Sequence, residues 1–71
     1  MSRKSRFLRA KRAELYRSQN EINEIRSSLL DAYTSFNSTS DPDLLEAYIY
    51  EINALRARYD YALRRAKTRI T

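Results

Sequence analysis

The chain has 71 residues, with 14 Lys and Arg against 9 Asp and Glu, a formal charge of +5, no His, Cys or Gly, and 1 Pro. Those absences exclude imidazole and thiol catalysis, disulfides, the usual zinc sites and phosphate-cradling Gly loops, so no catalytic, metal or cofactor residue is assigned. No apolar run is long enough to span a membrane or reads as a secretion signal, which makes the cytoplasm the expected location.

The first twelve residues hold Arg3, Lys4, Arg6, Arg9, Lys11 and Arg12 and no acid. These cations oppose the dipole of any helix that starts here and repel one another. The expectation is therefore a basic tail over 1–6 that frays unless an anion orders it. From Ser5 to Phe36 nothing breaks a helix, and Leu8, Leu15, Ile22, Leu29 and Phe36 recur at intervals of seven. With Ile25, Ala32 and Tyr33 beside them they form one apolar stripe, which predicts a helix over 5–36. The middle of the chain, 13–55, is acidic: Arg17 and Arg26 stand against eight carboxylates.

Asn37-Ser38-Thr39-Ser40-Asp41 is a polar cluster whose side chains compete for backbone hydrogen bonds, and it predicts a turn over 37–41. Asp41 followed by Pro42 reads as an N-cap with Pro at the first helical position; a cap at Ser40 would shift the start by one residue. Leu45, Tyr48, Ile52, Leu55, Tyr59, Ala62 and Ala66 then alternate by threes and fours, predicting a second helix over 42–69. A five-residue turn makes the two helices antiparallel. The fold class is all-α, a long two-helix hairpin with coiled-coil spacing forming one domain over 1–71. Antiparallel pairing is expected to set the basic run 1–12 beside that of 56–69, giving a basic end where both termini emerge and an acidic turn end with Asp31, Asp41, Asp43 and Glu46.

On the side of the second helix away from its main stripe, Ala47, Tyr50, Ala54, Ala57 and Tyr61 form a second apolar line. Small residues alternating with Tyr suit close helix approach, although Ala is also simply a good helix former. Two helices of this length rarely hold a sufficient core alone. Pairing into a four-helix homodimer, or docking on a partner, is the expected repair.

The segment Asp41-Pro42-Asp43-Leu44-Leu45-Glu46-Ala47-Tyr48-Ile49-Tyr50-Glu51-Ile52-Asn53-Ala54, continued by Arg58-Tyr59-Asp60-Tyr61-Ala62-Leu63-Arg64-Arg65-Ala66-Lys67, resembles the YaaL-like family of small uncharacterised Firmicutes proteins. The resemblance implies a short helical protein of cytoplasmic bacterial origin and supplies no catalytic residue. It leaves out the Arg-rich N-terminal stretch.

Carboxylate pairs such as Glu21 and Glu24 lie one helical turn apart and read as surface charge, so an enzyme is not expected. Of the 14 cations, eleven are Arg, whose planar fork suits phosphate. The candidate anion- or nucleic-acid-binding residues are Arg3, Lys4, Arg6, Arg9, Lys11, Arg12, Arg64, Arg65, Lys67 and Arg69. No helix-turn-helix, zinc or RNA-recognition signature accompanies them, so contact through phosphates is expected, with structured RNA or the ribosome as partner. The alternative is a protein-interaction module using Ala47, Tyr50, Ala54, Ala57 and Tyr61. With only Phe7 and Leu8 as apolar anchors near the N-terminus, attachment to a membrane surface is not expected, and neither is a small-molecule substrate.

Overall fold

Two long helices account for nearly all of the described chain. A computed structural model describes residues 3–70, the side chains of Arg69 and Ile70 excepted. Helix α1 runs Arg3–Ser38 and helix α2 runs Pro42–Ile70, packed as a hairpin, with no strand among the described residues. The molecule is a rod of 60 × 17 × 11 Å with a radius of gyration of 17.2 Å. A compact chain of this length would have a radius near 11 Å. Elongation leaves most side chains only one neighbouring helix to pack against.

The turn is three residues long, Thr39 to Asp41, and not the five expected. Asn37 and Ser38 stay helical, and the nearby hydroxyls are satisfied within the helix instead of in the turn: Ser38 Oγ donates to the Thr34 carbonyl at 2.7 Å, and Thr34 Oγ1 to the Leu30 carbonyl at 2.9 Å. Asp41 is the N-cap of α2. Its carboxylate accepts from the backbone N–H of Asp43 at 2.9 Å and of Leu44 at 3.4 Å. Its carbonyl accepts the first helical bond, from the Leu45 N–H at 2.9 Å. Thr39 Oγ1 accepts from the Asp41 N–H at 3.2 Å and closes the turn without a positive-φ residue among those described.

The seam is narrow. Ile25, Ala32, Ile52, Leu55 and Ala62 are buried, and Leu29 and Phe36 pack against the cluster of Ala32, Ile52 and Leu55. In α1 the most buried row is Ser18, Ile25 and Ala32, spaced by seven. The row singled out in the sequence, Leu8 to Phe36, is its flank, and its first members Leu8 and Leu15 are exposed. Continued toward the N-terminus, the buried row places Ser18 and then half-buried Lys11 at core positions. The apolar seam is therefore replaced by polar residues at one end of the rod.

Register shows why. Arg26 bonds Tyr59 across the seam, and Leu15, Ser18 and Ile22 share a groove with Leu63 and Ala66. Carried onward, this alignment sets the end of α2 beside Lys11 to Leu15. Helix α1 has 36 residues and α2 has 29, so the start of α1 projects past the described end of α2. Residues 3–10 are all exposed. Among the described residues, the basic runs expected side by side, 1–12 and 56–69, are consequently not paired. They follow one another along the rod, because the register set by Arg26 and Tyr59 aligns the described end of α2 with Lys11 to Leu15.

Candidate functional site

Arg3, Lys4, Arg6, Arg9 and Arg12 are exposed on the projecting turns of α1, and Lys11 is half-buried at the last of them. Successive members of the series Arg3, Arg6 and Arg9 step about 60° around the axis, so the three spread over roughly a third of a turn. Lys4, Lys11 and Arg12 fall on other sides, and the projecting helix is cationic around much of its circumference. Ser5, Leu8, Arg9 and Arg12 border one shallow depression on it. The first acid in the chain is Glu14. Helix α1 therefore begins with no acid in its first turn and a dense positive charge over the dipole's positive end.

On α2, Arg64, Arg65 and Lys67 are exposed and continue the basic tract along the rod; Arg69 has its side chain outside the described residues. Arg64 and Arg65 border a second shallow depression with Tyr61 and Thr68, and the Arg65 guanidinium lies over the Tyr61 ring at 5.5 Å from its centroid. The structure thus brings the two groups of cations into one elongated tract instead of a single patch. A phosphate backbone, itself a line of charges, matches such a tract better than one compact anion does.

Ala47, Tyr50, Ala54, Ala57 and Tyr61 are all exposed on α2, with Tyr50 at 67% and Tyr61 at 54%. Both rings have partners on their own helix. Tyr50 makes a long contact of 3.5 Å to Glu46 Oε1, and Tyr61 carries Arg65. These local contacts orient the rings without covering them.

The family model described as Protein of unknown function (DUF2508) matches residues 1–71. The chain belongs to that family. The match includes the Arg-rich start of α1 that the resemblance over residues 41–67 left out, so the projecting turns lie within the family's matched length. No curated protein and no solved structure matches the chain. No helix among the described residues is long and apolar enough to cross a membrane, and no group of acidic residues there could hold a metal.

Two features escaped the sequence reading. The Arg26 Nη2 donates to the Tyr59 hydroxyl at 3.1 Å, with the guanidinium 5.9 Å from the ring centroid. In the sequence Arg26 is one of two cations in the acidic middle and Tyr59 a member of the second stripe; only the register between helices shows that they meet. The other is an open groove of about 430 Å³ beside the seam, bordered by Leu15, Ser18, Ile22, Arg26, Leu63 and Ala66. No local spacing marks the Arg26–Tyr59 contact: Arg26 lies 14 residues before position 40 and Tyr59 19 after it.

Proposed function

We propose that the protein is a non-enzymatic helical binding module, acting in the bacterial cytoplasm, whose basic end docks on the phosphates of structured RNA such as that of a ribosome. The observation that carries this reading is the start of α1: residues 3–10 are all exposed and include Arg3, Lys4, Arg6 and Arg9, with no acid before Glu14. A charge arrangement that opposes the helix dipole and has no compensating acid nearby is expected at a binding site. The likeness of residues 41–67 to the YaaL-like proteins supports kinship with them within the wider family.

Phosphate docking has a quantitative signature. With six phosphates neutralised, log affinity for a structured RNA should fall against log salt with a slope of roughly −4 to −5, at ~0.7–0.9 per contact. Replacing Arg3, Arg6 and Arg9 by Gln should flatten the slope by about two to three and weaken binding at low salt. Unchanged affinity and slope in that variant would overturn the reading. A second reading is favoured by the exposure of Tyr50 and Tyr61: a protein-interaction module docking through the Ala47, Tyr50, Ala54, Ala57 and Tyr61 face. Tyr50→Glu with Tyr61→Glu should then abolish partner capture while leaving RNA binding intact.

A further inference from the structure

The two flanks of the hairpin seam differ. One carries Leu15, Ile22, Leu30, Tyr33, Ile49 and Leu63, and of these Leu15, Leu30, Tyr33 and Ile49 remain 38% to 67% exposed. The groove beside the seam opens on this flank. The opposite flank presents Glu21 and Ser28 from α1 and Glu51, Arg58 and Arg65 from α2, all exposed; Leu44, in the first turn of α2, is its apolar exception. The first flank is thus the more apolar of the two, although Gln19, Asn23 and Arg26 also border its groove.

We infer that the open apolar flank seats a second copy of this chain, antiparallel to the first, giving a four-helix homodimer. Charge fixes both the occupant and its direction. The apolar flank runs from the level of Leu15 to that of Leu45, and its midpoint falls beside the Arg26–Tyr59 pair. A two-fold axis there lays the exposed Arg12 of each copy, which shares the side of α1 that carries Ile22 and Arg26, over the turn end of the other, where Asp41, Asp43 and Glu46 are exposed. A parallel copy would set basic end on basic end. The Arg26 side chains of the two copies fall near the axis and repel one another, each held over its own Tyr59 ring, so the attraction at the two ends has to outweigh that repulsion to set the orientation. The flank is ~38 Å long at ~1.5 Å per residue, and a strip of that length across a 17 Å rod covers on the order of 600 Å². That approaches the ~800 Å² per partner of a standard stable interface.

The same axis carries residues 3–10 past the partner's turn, so the projecting basic helices emerge free at opposite ends of the dimer. The dimer is therefore compatible with the RNA-docking reading and independent of it. Helix α2's Tyr50 and Tyr61 face away from this interface.

Sedimentation of the full chain from low to high micromolar concentration should show a dimer. Leu30→Glu with Ile49→Glu should weaken association about 100-fold or more while helicity by circular dichroism persists; Tyr50→Glu with Tyr61→Glu should leave it unchanged. The chain has no Cys, so Ala13→Cys, at an exposed position outside the proposed interface, introduces a unique label site. Two spin labels there should lie roughly 45 Å apart in the antiparallel dimer, since ~30 residues at ~1.5 Å separate the two levels. A monomer at all concentrations, loss of the dimer in the Tyr variant alone, or a label separation under ~20 Å, as a parallel pairing gives, would each overturn the inference.

Discussion

The half of the rod nearest the turn and the half nearest the N-terminus are built on opposite terms. Near the turn, Ala32, Ile52 and Leu55 are buried together under Leu29 and Phe36, and Asp41 caps the second helix. At the other end the same heptad row holds Ser18 and Lys11, the flanking Leu8 and Leu15 are exposed, and the outermost turns of α1 have no described neighbour. One half supplies the burial that folds the chain. The other keeps its charge accessible and contributes little to stability, which leaves its sequence largely free of packing constraints.

The largest effects should therefore come from the turn half. Leu55→Ala removes a buried side chain from the central cluster and should cost about 2–4 kcal/mol. That is a large share of what a domain this small holds. Leu8→Ala, an equal chemical change at an exposed position, should cost less than ~0.5 kcal/mol. Urea unfolding at one fixed protein concentration compares the two, the fixed concentration being needed because association shifts apparent stability. Equal losses would mean that the two halves do not differ as described.

The hairpin was legible in the sequence because its signals are local and agree with one another. Spacing by threes and fours placed both stripes, and Asp41-Pro42 marked the start of α2, as the bonds to Asp43 and Leu44 bear out. What was less legible depends on partners outside the local window. Ser38 reads as a turn residue until its hydroxyl is seen bonded to the Thr34 carbonyl. The heptad row of Leu8 reads as core because a sequence cannot say where a partner helix stops. The candidate basic residues were identified one by one, but their arrangement as a tract, rather than a patch, follows from the offset between two helices of unequal length.

The cap gives the next effect in size. Asp41→Ala leaves the first N–H groups of α2 without their carboxylate acceptor and should cost about 1 kcal/mol. Ser40→Ala, at the other candidate cap position, should change stability by a few tenths of that at most, because the Asp41 carboxylate already takes the Asp43 and Leu44 N–H groups. A larger loss at Ser40 than at Asp41 would reverse the assignment.

Between the two halves sits the Arg26–Tyr59 bond, which spans the seam from an exposed guanidinium. Solvent screens much of such a contact, so Tyr59→Phe should cost about 0.5 kcal/mol. A double-mutant cycle with Arg26→Gln should return a coupling of the same order. A coupling indistinguishable from zero would show that the ring packs in the seam without help from the guanidinium.

The smallest stability change belongs to the residues proposed to dock on phosphate. Replacing Arg3, Arg6 and Arg9 by Gln removes three charges from exposed turns where they repel one another and sit at the positive end of the helix dipole. Removing an unfavourable charge cannot weaken the helix by electrostatics, and Gln is as good a helix former as Arg. Stability should stay the same or rise by a few tenths of a kcal/mol, with helicity kept. A loss of ~1 kcal/mol or more would mean that these side chains support the fold, through contacts that replace the charge-opposed picture drawn from α1. Stability kept alongside a flattened salt dependence of RNA binding is the combination that a docking role requires and a structural role does not produce.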